Sequence, residues 1–178
     1  MDDVTLRPIA EADLDDLYRF STDPEAGGEF EWTGFKDPKA VRRRWDEDGW
    51  IGNEHVWLAV ARPDGTFAGI VSWKDRPVGP TKGLRYEVGI ALLPEHRGQG
   101  VGTTAQRLMV QYLFDHTPVH RLEAYTDVEN VVEQRALEKA GFQREGVLQQ
   151  IYFRAGRWRD SVLYSRLRDT PESTMRRN

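Results

Sequence analysis

The sequence predicts an α+β domain with helices packed on a mixed sheet, and three observations lead there. Strand-like runs follow one another in the middle of the chain, which reads as an antiparallel meander. Helical stretches then separate the next runs, which reads as crossover connections. A last pair of strand-like runs closes the chain as a hairpin.

The elements follow in order. Val4 to Pro8 alternates as a short strand. Asp13 to Phe20 places Leu14, Leu17 and Tyr18 on one helical face. Asp23-Pro24 through Asp37, rich in Gly, Glu and aromatics, is expected to be loop. Asp37-Pro38 has the residue types that start a helix, which then runs to about Asp46. His55–Arg62 and Thr66–Trp73 are strands around the turn Pro63-Asp64-Gly65. Lys74 to Gly83 is a Pro/Gly loop.

Tyr86 to Leu93 alternates Tyr86, Val88, Ile90 and Leu92 against Glu87, Gly89, Ala91 and Leu93. Ala105, Leu108, Met109, Tyr112 and Leu113 recur at helical spacing. Arg121–Thr126 is a strand, and Val131–Ala140 a helix closed by Gly141. Gln143–Phe153 and Arg157–Tyr164 form the closing hairpin, turning at Ala155-Gly156. About four helices result, in a single domain over 1–168, with a polar tail over 169–178 expected to be disordered.

The 178-residue length allows a sizeable core, and 39% hydrophobic with 30% charged residues fits a soluble globular protein. The chain contains no cysteine, which excludes disulfides, thiolate nucleophiles and Cys-bound metal. No basic-then-apolar leader and no membrane-length apolar run are visible, so a cytoplasmic protein is expected. The net charge of -4 is unevenly spread. Residues 1–60 hold 15 acids and 7 bases; the remainder holds 14 acids and 18 bases. Such a front half suits a cationic partner and such a back half suits phosphates; two solvated faces explain the same balance. No basic stripe points to nucleic acid. His55, His96, His116 and His120 do not fall at metal-ligand spacing.

The stretch Leu92-Leu93-Pro94-Glu95-His96-Arg97-Gly98-Gln99-Gly100-Val101-Gly102-Thr103 is the most informative part of the chain. A glycine loop opening a helix aims free N–H groups and the positive helix end at an anion. Thr103-Thr104 follow the last glycine, so the Lys of a P-loop is missing. The spacing is G-x-G-x-G, not the G-x-G-x-x-G of dinucleotide folds.

Arg97-Gly98-Gln99-Gly100-Val101-Gly102 resembles the pyrophosphate-loop signature Arg/Gln-x-x-Gly-x-Gly/Ala of the GNAT N-acetyltransferases. Gly89 to Glu95 looks like that family's strand leading into the loop. Glu129-Asn130 with Gln134 to Phe142 looks like the helix beside the pantetheine arm. Thr5-Leu6-Arg7-Pro8, Gly146, Arg157-Trp158-Arg159-Asp160 and Leu163-Tyr164 resemble the branch containing ribosomal-protein N-terminal acetyltransferases. The resemblance spans about Val4 to Leu167.

That resemblance implies a GNAT fold whose mostly antiparallel sheet splays at the cofactor. It implies acetyl-CoA as acyl donor, no metal, and direct transfer to an amine. The expected acceptor is an amine-bearing small molecule or a protein N-terminus, with the protein a monomer or homodimer. Expected cofactor contacts are the backbone of Gln99 to Thr103, the Arg97 side chain and Asn130. Asn130 is also a preferred helix N-cap.

A backbone N–H near Leu92 or Leu93 is expected to receive the developing oxyanion. Glu87 is the first candidate for taking the acceptor's proton, with a salt bridge as its alternative role. Glu29, Glu31 and Trp32 are expected at the acceptor, by ion pairing and cation–π contact. Trp57 and Trp73 are expected to pack.

The chain departs from the family pattern twice. Glu133 stands where a Ser is frequent and is expected to point away from the phosphates. The Val131–Ala140 helix also lacks the Tyr that many members use to protonate the leaving thiolate, with Tyr152 a weak substitute. The alternatives that remain open are a catalytically silent acyl-CoA-binding module and a transferase of a longer acyl group such as succinyl.

Overall fold

The computed structural model describes residues 4–53, 55–77 and 84–168. The described chain forms strands β1 (Thr5–Pro8), β2 (His55–Ala61), β3 (Phe67–Asp75), β4 (Arg85–Leu92), β5 (Arg121–Asp127), β6 (Gln143–Arg154) and β7 (Arg157–Leu167). The α-helices are α1 (Leu14–Thr22), α2 (Pro24–Gly27), α3 (Lys39–Asp48), α4 (Val101–His116) and α5 (Val131–Lys139). Residues 78–83 of the expected Pro/Gly loop and the tail 169–178 lie outside the described residues, as do residues 1–3.

One seven-stranded sheet runs in the order β1-β2-β3-β4-β5-β7-β6. Every neighbouring pair is antiparallel except β4 and β5, which are parallel. The α+β class and mixed sheet are as expected.

The region predicted to be loop over 23–37 contains the short helix α2. Asp23 caps it by accepting the Glu25 N–H at 2.9 Å, and Pro24 sits at its first position. Asp37 accepts the Lys39 N–H at 2.9 Å and so starts α3, as its residue type predicted.

Both faces of the sheet are covered. One core joins Val71, Trp73, Val88, Leu122 and Ala124 to Val101, Ala105, Met109 and Leu113 of α4 and Leu137 of α5. The second joins Ala59, Ile70 and Leu93 to Leu14 and Leu17 of α1, Ala26 of α2 and Val41 of α3. The alternation along β4 divides accordingly: Val88 belongs to the first core with Tyr86, Ile90 and Leu92 packed against it, and Leu93 with Ala91 belongs to the second. Burying each large aliphatic side chain contributes roughly 1.5–3 kcal/mol.

The parallel pair is short. Arg85, Tyr86 and Glu87 pair with Arg121, Leu122 and Glu123, and the register stops there. Strand β4 runs on to Leu92 and β5 to Asp127. The sheet therefore opens between them toward the C-terminal end of β4.

Gly69 of β3 supports the far edge of this opening. A Cβ there would lie 2.1 Å from the Ala91 carbonyl oxygen and 2.8 Å from the Leu92 Cα, so the strands touch backbone to backbone. Gly69→Ala must push the end of β4 outward. A loss of about 1–3 kcal/mol in denaturant unfolding is expected.

Candidate active site

The glycine loop turns left-handed at two positions, Gly98 (φ +72) and Gly100 (φ +80), and α4 starts immediately after. The Thr104 N–H donates to the Gly100 carbonyl at 3.1 Å. The N–H groups of Val101, Gly102 and Thr103 precede that turn and have no acceptor within the helix. A Cβ on Gly98 or Gly100 would meet nothing within 4 Å, so the loop faces open space. Free donors, the positive end of a 16-residue helix and an open approach fit a diphosphate.

Strand β4 supplies a second set of donors. Leu93 N–H donates to the Ala68 carbonyl at 3.0 Å and Arg76 N–H to the Arg85 carbonyl at 3.0 Å. Odd-numbered residues of β4 thus turn their backbone groups to β3. Alternation turns those of Val88, Ile90 and Leu92 toward the opening, beyond the last residues paired with β5. An extended amide-bearing arm laid in this gap would be bound like an added strand.

A cavity of ≈ 360 Å³ runs through the opening. From the α4 and α5 side it is lined by Gln106, Met109, Asn130, Glu133 and Leu137. From the α1 side it is lined by Phe20, Glu31, Lys36, Trp57, Ser72, Glu87 and Tyr125. A second, more open cavity of ≈ 720 Å³ shares Glu31, Glu87 and Tyr125 and adds Phe30, Asp75, Arg76, Arg85 and Tyr152.

Asn130 caps α5 by accepting the Glu133 N–H at 3.2 Å through Oδ1. The cap role is as expected, and Asn130 lines the cavity as well.

Leu93 is corrected. Its N–H is spent on Ala68 and its side chain is buried in the second core, so it cannot serve an oxyanion. Leu92 is the member of the pair whose N–H faces the opening.

Arg97 is also corrected. Its Nε donates to the Leu92 carbonyl at 2.9 Å, and its terminal nitrogens to the carbonyls of Glu25 (3.1 Å) and Ala26 (2.6 Å). The guanidinium ties the end of β4 to α2. The Gln99 side chain is held likewise, by the Glu95 carbonyl at 2.8 Å and by Arg62, leaving its backbone for the loop.

Glu87 reaches the cavity between two cations, Lys74 Nζ at 2.7 Å and Arg76 Nε at 2.6 Å. Partial burial raises its carboxyl pKa, but these hydrogen bonds and charges outweigh burial and hold it below the ordinary value. Of the expected acceptor residues, Glu31 lines both cavities, and burial among protein atoms raises its pKa against the opposing charges of Lys36 and Arg154. Glu29 offers its carbonyl to Arg154 at 3.0 Å. Trp32 packs over Gly27 and edge-on to Phe35 at 5.4 Å. Trp57, expected only to pack, stacks on Trp50 at 4.3 Å and also lines the cavity.

Glu133 lines the cavity and accepts the Gln106 Nε2 hydrogen bond at 2.6 Å. Burial is the main cause that pushes its pKa up to about 7; the Gln106 bond opposes this and the Glu31 charge adds to it.

Tyr125 and Gln106 were not foreseen. Gln106 carried a signal, being a polar residue three before Met109 and seven before Leu113 on the buried stripe of α4. Tyr152 donates to Asp127 at 2.6 Å, and burial with that carboxylate raises its pKa, which suits an anchor and not a proton donor.

A sheet split between parallel strands, with an open helix N-terminus at its edge, fits an N-acyltransferase. The chain belongs to the GNAT acetyltransferase domain family, whose pattern it matches over residues 3–143. It is an acyltransferase enzyme.

It is similar to "Probable N-acetyltransferase YjcK" of Bacillus subtilis, 40% identical over 73 residues, which are 41% of this chain and 40% of that protein. The match therefore spans less than half the length of that relative. It is 28% identical over 173 residues to "Uncharacterized N-acetyltransferase p20" of Bacillus licheniformis, covering 93% of each.

Its fold is shared with the spermidine N-acetyltransferase of Vibrio cholerae, solved in complex with CoA and spermine. The TM-score is 0.81 at 20% identity, over 93% of this chain and 95% of that one. These similarities establish the superfamily and not the ribosomal-protein branch. Among the described residues no helix is long and apolar enough to cross a membrane.

Proposed function

We propose that this enzyme transfers the acetyl group of acetyl-CoA to the primary amine of a small cationic acceptor, in one ternary complex. The single observation behind this reading is the cavity that passes through the sheet between β4 and β5. It joins the helix-terminus side, at Asn130 and Gln106, to the acidic side, at Glu31 and Glu87. Acetyl-CoA would supply an activated thioester, its diphosphate on the amides of Val101 to Thr103 and its pantetheine along the gap-facing edge of β4. The Leu92 N–H would stabilise charge developing on the thioester oxygen.

Carboxylates beside Phe20 and Trp57 on the acidic side of the cavity favour a small cationic amine. The Vibrio enzyme of the same fold, solved with CoA and spermine, supports an amine of this kind.

The test is a thermal-shift screen with acetyl-CoA, succinyl-CoA, ATP and NAD, followed by thiol release with a panel of polyamines, aminoglycosides and peptide N-termini. Stabilisation by acetyl-CoA above that by ATP or NAD is expected, with thiol release for at least one small amine. Stabilisation without thiol release from any amine would favour the silent binding module. A larger shift and faster turnover with succinyl-CoA would favour the longer acyl group.

Glu87 balances two cations beside the acceptor. Glu87→Gln leaves Lys74 and Arg76 facing an incoming ammonium. The Michaelis constant for the amine is expected to rise about tenfold, a 1.4 kcal/mol effect, while kcat and acetyl-CoA binding change little. A kcat loss of about a hundredfold at unchanged KM would instead make Glu87 the base.

A further inference from the structure

We propose that Glu133, positioned by Gln106, is the carboxylate that takes the proton from the acceptor's ammonium. The inference rests on the transferase reading above and concerns the proton path through the same cavity.

Three features of the geometry lead to it. Glu133 lies in the first turn of α5, next to the opening where β4 and β5 part, and lines the cavity that joins the two substrate sides. Its hydrogen-bond partner is the neutral amide of Gln106, at 2.6 Å, whereas Glu87 is gripped by Lys74 and Arg76. A carboxylate held by an amide keeps its affinity for a proton; one held between two cations loses it.

Gln106 itself is 1% exposed, and its Oε1 has no hydrogen-bond partner among the described residues. A buried amide oxygen without a donor is costly, and no N–H of the described residues reaches this one, so the Gln106 side chain is held through its bond to Glu133.

The titratable groups facing Glu133 across the cavity are Glu31 and Lys36 from the segment before α3, Glu87 from β4 and Tyr125 from β5. Helix α4 presents Gln106 and Met109. Burial and the Glu31 charge poise the Glu133 carboxyl at about 7, where a general base works best at neutral pH.

The step balances as follows. The acceptor R–NH₃⁺ gives one proton to Glu133. The freed nitrogen pair forms the N–C bond, and the C–S bond breaks with its pair on sulfur. The surplus proton on nitrogen ends on sulfur, giving the acetamide and free thiol. Glu133 then returns its proton to solvent.

Two readouts test the proposal. In the protein without ligand, carboxyl carbon NMR with labelled glutamate should show one resonance titrating near pH 7, absent in Glu133→Gln. With acetyl-CoA and an amine found active in the panel, wild-type kcat should rise through an acidic limb near pH 7. Glu133→Gln should lower kcat about a hundredfold and abolish that limb, with acetyl-CoA affinity within about threefold of wild type. Gln106→Leu removes a bond that lowers the Glu133 pKa, so the limb should move to higher pH with a smaller loss of kcat.

Retention of wild-type kcat and limb in Glu133→Gln would overturn the proposal, as would the absence of the NMR titration. If no amine is acetylated by the wild type, the transferase reading falls and this one with it. If turnover is present, only the assignment to Glu133 is at stake.

Discussion

Gly100→Val is expected to abolish acetyl-CoA binding at micromolar concentrations while leaving a folded protein. Gly100 sits at φ +80 as the residue before α4. A β-branched side chain there costs roughly 1–3 kcal/mol of backbone strain. The chain can relieve that strain by rotating out of the left-handed region. The N–H groups of Val101, Gly102 and Thr103 would then no longer converge on one anion. If the turn is kept instead, the new methyl groups occupy the open space in front of the loop, where nothing lies within 4 Å of a Cβ.

Both routes remove the convergence of these N–H groups, and neither touches the two cores. Calorimetric titration with acetyl-CoA measures the loss, and thermal unfolding should show a decrease of only a few degrees. Gly102→Ala is the matched control. Its Cβ would make ordinary contacts with Leu92 Cδ1 at 3.6 Å and Ile90 Cδ1 at 3.8 Å, so affinity should change by less than about threefold.

Arg154→Met is expected to cost about 3 kcal/mol of folding stability, the largest loss foreseen for any single side chain here. The Arg154 and Asp127 side chains are 3% and 1% exposed and meet at 2.7 Å. Arg154 also donates to the Glu29 carbonyl at 3.0 Å and lies over the Phe30 ring at 5.0 Å, so it staples the segment around Phe30 to β6. Removing one partner of a buried ion pair strands the other charge, at about 3–5 kcal/mol. Asp127 keeps the Tyr152 hydroxyl at 2.6 Å and the Glu129 N–H at 2.8 Å, which places the loss at the low end.

The pH dependence follows from the direction of the Asp127 shift. Burial alone would raise its pKa, but the Tyr152 and Glu129 bonds and the Arg154 charge hold it below the ordinary value. A carboxyl with a depressed folded pKa contributes stability above its unfolded pKa, about 3.9, and loses it as pH falls through the folded value. Losing Arg154 raises the folded value, so acid unfolding of Arg154→Met should begin at higher pH. Denaturant unfolding at neutral and acid pH measures both effects, and the amine KM should rise as the segment around Phe30 loosens.

Glycine positions, strand alternation and capping residues were legible from local chemistry alone. The loop Gly98 to Gly102, the cap at Asn130 and the hairpin at Ala155-Gly156 depend on residues within a few places of each other, so the sequence by itself determined them. Helix α2 escaped because four residues are too few for a periodic pattern.

The site was legible as far as its backbone. Which N–H faces the opening depends on the pairing of β4 with β3, and this removed Leu93 and kept Leu92. Which cations surround a carboxylate depends on strand register and loop return. Lys74 lies opposite Glu87 across β3 and β4, a placement no local pattern encodes, and it gives Glu87 the salt bridge named as its alternative role. Arg97 looked like a phosphate ligand beside the glycines, yet folding brought the carbonyls of Glu25 and Ala26 within its reach. Glu133 faces inward because α5 packs against α4 at Gln106, a contact spanning 27 residues. Only tertiary structure decided the direction in which each carboxylate's proton affinity shifts, because burial and distant partners, not neighbours in sequence, set it.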